Sequence, residues 1–347
     1  MMSKPHIPFL LLLFLSFLVG CTDSKTTILT QQQLQQQLQQ LNVALQSTAS
    51  TNTASANTAS ANTASTSLAR LPFSEAYLAR RHELLNSQLS NPDATAQKEL
   101  NYLKIQERYP ERFLLWPAHL PVLKNLTNHT TPAQVEEWLT LVKARLEAGL
   151  ESKIKLSRID LRLITEQLAQ SDNNSAAFTA LNNYLSSYKP RAMPGLQQLP
   201  NGKEWYQSKL NFYGNIQASP NQVLAQLASG SELEPIRQLG ELTLSLNEPA
   251  ILTLLGPDCA QVGGLNWRDG FINIPATVGS CQQQLQQYES LLRVLMEIDI
   301  GIHVQGWSTK QAVVALNSRL ALNEQQAQQL VNNIIYFPAT IFAAYTG

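Results

Sequence analysis

TPAQVEEWLTLVKARLEAGL, residues 131–150, carries the marks of an α-helix from end to end. Thr131 is an N-cap residue type whose hydroxyl can accept a backbone N–H. Pro132 needs no N–H in the first turn, and Gln134 completes a capping box. Val135, Leu139, Val142 and Leu146 follow at spacings of four, three and four, so they line one face, and Gly149 offers a stop. The same pattern extends outward. SEAYLARRHELLNSQL (74–89), LSRIDLRLITEQLAQ (156–170) and SAAFTALNNYLSSY (175–188) all place apolar residues at helical spacing. The cap recurs at Ser219-Pro220-Asn221-Gln222 and at Ser308-Thr309-Lys310-Gln311. One hairpin is expected in GGLNWRDGFINIP (263–275), with Asp269-Gly270 in a tight turn and Phe271, Ile272 and Ile274 on a strand. With no alternating βα pattern, no dinucleotide fingerprint and no P-loop, the expected fold class is mainly α, a large helical domain with one small β-hairpin.

The N-terminus reads as an address. In MMSKPHIPFLLLLFLSFLVGC, Lys4 and His6 precede an apolar run from Ile7 to Val19. That run is shorter than the ~20 residues a spanning helix needs and has the layout of a secretory signal. Leu18-Val19-Gly20-Cys21 resembles a bacterial lipobox, which implies a signal peptide over 1–20 and a lipidated Cys21. Several acyl chains would anchor firmly where one holds only marginally. Thr22, rather than Asp, resembles lipoproteins sent to the outer membrane, with the body in the periplasm or at the cell surface.

Residues 21–68 are expected to form a stalk. Within it, Leu34, Leu38, Leu41 and Leu45 mark a Gln-rich amphipathic helix too short to be stable alone. The following STASTNTASANTASANTASTS has no large apolar residue and no charge, so disorder is expected there. The helical body then occupies 69–347.

Lysine plus arginine equals aspartate plus glutamate at 25 each, and charged residues make up only 14%, so no basic excess exists to bind nucleic acid. Beyond Cys21 the cysteines are Cys259 and Cys281, either a disulfide suited to an oxidising compartment or two buried thiols.

Reactive groups are sparse. There is no G-x-S-x-G elbow. His82, His119, His129 and His303 are scattered, and none has a second histidine three or four residues on, as a helix-borne zinc site requires. No metal and no cofactor are therefore expected. The remaining candidates lie together in EIDIGIHVQGWSTKQAVVAL (297–316): His303, with Asp299 to orient its imidazole and Glu297 nearby. The alternative is a structural histidine packed beside Trp307.

These residues support a family resemblance. MEIDIGIHVQGWSTKQAVVAL, followed by FPATIFAAYTG, resembles the C-terminal segment of the bacterial "domain of unknown function 885" proteins. That segment typically reads Val-Asp-Thr-Gly-Ile-His-x-x-Gly-Trp-Thr-x-x-Gln-Ala, then Pro-Gly-Gln-Ala. Asp299, Gly301, His303, Gly306, Trp307, Gln311 and Ala312 match in register. Residues 141–168 and 188–223 resemble two further segments, with Pro200, Gly202, Lys203 and Tyr206 in a Leu-Pro-x-Gly-x-x-x-Tyr stretch. The resemblance covers most of 75–347 and implies a zinc metallopeptidase-like scaffold. The family's His-Glu-x-x-Pro-Gly-His-His motif is missing, however. FINIP runs through ATVGSC straight into QQQLQQYESLLRVLMEID. The arginine often found before the aspartate is displaced, with Leu295 at its position and Arg293 two residues early. Further C-terminal helices of the family do not follow Gly347 in this sequence.

Without those ligands the zinc and its base are lost. The leading expectation is a degenerate, non-catalytic domain that binds a peptide or another envelope protein through His303, Trp307, Phe271 and Ile272. A hydrolase rearranged around His303, Asp299 and Glu297 and a self-associating structural lipoprotein are the alternatives.

Overall fold

The computed structural model describes residues 27–42, 71, 73–108, 131–171, 173–229, 244, 246, 248–263, 271–274, 279–320 and 322–345. The signal peptide expected over residues 1–20, Cys21 and the Asn-Thr-Ala-Ser repeat lie outside the described residues.

In chain order the elements are β1 (Ile28–Leu29), α1 (Gln31–Leu41), α2 (Glu75–Leu85), β2 (Gln88–Leu89), α3 (Ala94–Arg108), α4 (Pro132–Glu151), α5 (Arg158–Ala169) and α6 (Ala176–Ser186). A 3-10 turn at Leu196–Gln198 leads to α7 (Gly202–Gly214), α8 (Pro220–Ala228), α9 (Ala250–Leu255), β3 (Gln261–Gly263) and β4 (Phe271–Asn273). The chain continues through α10 (Gly279–Gln287), α11 (Glu289–His303), α12 (Thr309–Asn317), α13 (Glu324–Tyr336) and a 3-10 helix at Thr340–Ala344. The fold is mainly helical, as the spacing of apolar residues implies. Full capping boxes open α4 at Thr131/Gln134, α8 at Ser219/Gln222 and α12 at Ser308/Gln311. In a chain this poor in charge, glutamine rather than glutamate closes these boxes.

The N-terminal segment departs from the expected stalk. Thr30 and Gln33 cap α1, and its Leu34 and Leu38 are buried with Leu29, Leu84, Leu85, Leu100 and Leu103 between α1, α2 and α3. β1 pairs in parallel with β2, Ile28 opposite Gln88 and Leu29 opposite Leu89. The Tyr77 hydroxyl donates to Asn42 Oδ1 at 2.6 Å, and Arg80 donates to Gln37 Oε1 at 2.6 Å. An isolated two-turn stripe would fray. Here each buried leucine contributes roughly 1.5–3 kcal/mol on a ready-made surface. Residues 27–42 are thus part of the body, with Leu34 and Leu38 of the expected stripe buried and Leu41 partly buried, while Leu45 lies outside the described residues.

A second core joins α4, α5 and α6 around Trp138, Leu139, Ile164 and Leu168. The largest core is C-terminal, and α11 runs through it. Every residue from Ile298 to His303 is buried, so the C-terminal half of this helix is enclosed, while Glu289, Arg293 and Glu297 keep a polar stripe along its N-terminal part.

The expected hairpin is present as a pair of three-residue strands. Gln261, Val262 and Gly263 pair antiparallel with Asn273, Ile272 and Phe271. Asp269-Gly270, the expected tight turn, lies outside the described residues. Cys259 and Cys281 form a disulfide, Cα–Cα 5.2 Å apart, that fastens the base of β3 to α10. Closing a loop of this size contributes about 3 kcal/mol in the chain-entropy model. The Cys259→Ser/Cys281→Ser double variant is expected to lose about that much in urea unfolding.

Candidate functional site

Asp299 and His303 stand four residues apart on α11 and so share a face. Both are enclosed, Asp299 at 1% exposure and His303 at 0%. The Tyr206 ring, from α7, stacks on the His303 imidazole at 5.6 Å between centroids and 17° between planes. Its hydroxyl donates to Asp299 Oδ1 at 2.6 Å.

Both imidazole nitrogens are engaged by backbone. The Leu196 N–H donates to Nδ1 at 3.3 Å, and Nε2 lies 3.1 Å from the Ile334 carbonyl oxygen. An amide N–H can only donate and a carbonyl can only accept, so Nδ1 is the acceptor and Nε2 carries the proton. This fixes one neutral tautomer. The Ile334 carbonyl needs that donor. It lies in the last turn of α13, and four residues on stands Pro338, which has no N–H to offer.

Asp299 serves the same helix end. Its carboxylate accepts the Ala339 N–H, at 3.2 Å to Oδ1 and 3.0 Å to Oδ2. Ala339 has φ 64°, in the left-handed region, which an alanine holds only when its surroundings enforce it. Asp299 and His303 together therefore secure the turn that follows α13.

On the other side, Gly195 permits the approach of Leu196. A Cβ added at Gly195 would lie 1.9 Å from the Ile302 carbonyl oxygen and 3.3 Å from His303 Cα. Arg191 holds this segment in place. Its Nη1 donates to the carbonyls of Met193 (2.7 Å) and Gly195 (2.8 Å), and its Nε donates to that of Lys155 (3.0 Å). Lys209, buried one turn beyond Tyr206 on α7, donates to the Tyr102 hydroxyl at 3.2 Å.

Burial dominates the electrostatics. It pushes the Asp299 carboxyl up to about 7, against the pull of the Tyr206 and Ala339 hydrogen bonds and the Lys209 charge. It drives the His303 imidazole down to about 3. The bond to the Ile334 carbonyl opposes this, and the charges of Arg191 and Lys209 reinforce it. The Tyr206 hydroxyl is raised by burial first and by Asp299 second.

The two shifts have opposite consequences for stability. Asp299 keeps its proton better in the folded state, so its contribution is full below about pH 4 and is lost as pH rises through about 7. His303 resists protonation in the folded state, so its contribution is full above about pH 6.5 and is lost as pH falls toward about 3. Between about pH 4 and 6.5 the slopes oppose each other. Relative to the unmodified chain, Asp299→Asn should lose stability as pH falls through this window, and His303→Asn should lose it as pH rises. Each slope approaches ~1.4 kcal/mol per pH unit, measurable by urea unfolding at a series of pH values.

The other expected site residues do not converge. Glu297, two residues from Asp299, points to the far side of α11 and forms a bidentate pair with Arg319 (Nη2–Oε1 2.7 Å). Asp299 makes its bonds to Tyr206 and Ala339 and does not orient the imidazole. Trp307 covers Gly301, where an added Cβ would meet its ring at 2.5 Å. Ile272 is 4% exposed in the main core, because its face of β4 turns inward, so its side chain offers nothing to a ligand. The Phe271 side chain lies outside the described residues. A cavity of about 210 Å³ opens between the starts of α5 and α12, lined by Ser157, Arg158, Pro194, Ser308 and Lys310, and His303 is not among its lining residues.

Arg191 and Lys209 were not singled out by the sequence. Pro338, four residues after Ile334, was the readable hint that a helix carbonyl would need an outside donor. Among the described residues no three His, Cys, Asp or Glu side chains are placed to share a metal ion. Chemically, the His303 cluster can hold two helices and a turn together, and a base with no free lone pair and no solvent access has no route to a substrate. No family model, curated protein or solved structure matches this chain.

Proposed function

We propose that this chain is a lipid-anchored envelope protein whose metallopeptidase-like domain is degenerate and acts by binding, to an extended peptide or to another envelope protein, without turnover. The observation that carries this reading is the closed state of His303, fully buried with both ring nitrogens bonded to backbone. Ala339 lends support to the resemblance behind it. The related pattern has glycine after this proline, and here the position has the positive φ that glycine favours.

The outer strand β3 is the surface best suited to a peptide. Val262 is 47% exposed, and the disulfide steadies the strand from below. A peptide adding to this edge would gain main-chain hydrogen bonds with little rearrangement. Calorimetry against a library of extended peptides tests the reading. Saturable binding without cleavage, weakened about tenfold (~1.4 kcal/mol) by Val262→Asp, is expected. Hydrolysis that disappears in His303→Ala would overturn it. Incorporation of a fatty-acid label that is lost in Cys21→Ser tests the anchor separately.

A further inference from the structure

The docking of α1 changes what the anchor does. Thr27, the first described residue, accepts the Gln88 N–H at 2.9 Å and lies six positions after Cys21. Six residues reach at most about 20 Å whatever their conformation. A stalk running to Leu71 would instead give a flexible chain an r.m.s. reach of about 40 Å and a far longer maximum. Both ends of the repeat-bearing segment are held by the same body, Asn42 through Tyr77 and Leu71 in the core that contains Phe73 and Tyr77.

The surface beside the tether suits a lipid headgroup layer. Ile28 is 64% exposed, the most exposed of the large apolar side chains described. The outward positions of α1 are glutamines, which themselves carry no charge to desolvate on approach, and the nearby Arg80 is paired with Gln37 and Glu83.

We propose that the β1–β2 edge is held against the bilayer surface by the short tether from Cys21 to Thr27, so that no spacer longer than this separates the body from the lipid. This rests on lipidation of Cys21. The test uses the full lipid-bearing chain in phospholipid vesicles. A fluorophore is placed at Gln88→Cys, an exposed position paired with Ile28, and headgroup spin-labelled lipid serves as the short-range quencher. Strong quenching is expected with the native tether. Inserting about twenty Gly/Ser residues after Lys25 should reduce it several-fold, whereas the same insertion after Ala56 should leave it unchanged. Weak quenching with the native tether, or an equal loss from the two insertions, overturns the proposal. Mass analysis of the N-terminal peptide separates the two claims. An acyl mass with the wrong insertion response removes this proposal alone, and no acyl mass removes the lipidation reading and this proposal with it.

Discussion

Replacing His303 with alanine is expected to destabilise the fold by about 4 kcal/mol or more, in proportion to what the imidazole holds. The substitution strands two buried backbone groups, the Leu196 N–H and the Ile334 carbonyl, each at a cost of about 1–3 kcal/mol. It also opens a void beneath Tyr206, and voids in dense cores add their own cost. The loss should appear as a lower urea midpoint with an unchanged slope. Tyr206→Phe removes only the hydroxyl that serves Asp299 and should cost about 1–3 kcal/mol. A His303→Ala protein as stable as the unmodified chain would mean that the imidazole is not a structural bond-maker, and a functional role would return.

Gly195→Ala should be as damaging by a different route. The new methyl would meet a helix carbonyl, a backbone atom that cannot swing aside, so either the 3-10 turn or α11 must move. Moving either lengthens the bond from Leu196 to His303. Overpacking typically costs about 1–3 kcal/mol, and the added loss of a buried hydrogen bond brings the expectation above about 3 kcal/mol. Gly279→Ala is the internal control. A Cβ added there would meet nothing within 4 Å, and its φ lies outside the left-handed region, so stability should hold or rise by up to about 1 kcal/mol. Equal behaviour of the two variants in denaturant titrations would contradict the tight contact at Gly195.

What the sequence disclosed and what it withheld follow from the range of the interactions. Thr131 with Gln134, and Ser308 with Gln311, are partners three residues apart, so the helix starts were legible. The leucines of α1 were legible as a stripe, but the surface that covers them comes from α2 and α3, beyond the unpaired look of a glutamine-rich segment. His303 and Asp299 were visible as candidates for their residue types. Their roles were not, because the partners are a backbone amide 107 positions away, a carbonyl 31 positions away and a hydroxyl 93 positions away. Backbone partners carry no residue-type signal at all. Ile272 was misread for a related reason: a strand's alternation says that two faces differ, and only the packing of α7 and the C-terminal 3-10 helix against β4 says which one is closed.

The most direct test of the account is a nitrogen-detected NMR titration of His303 in the intact, folded body. A single neutral tautomer with the proton on Nε2, unchanged between about pH 4 and 8, is the predicted result. An imidazole that titrates near its ordinary value of about 6.5, or that exchanges between tautomers, would place His303 in contact with solvent or substrate and contradict the structural role assigned to it.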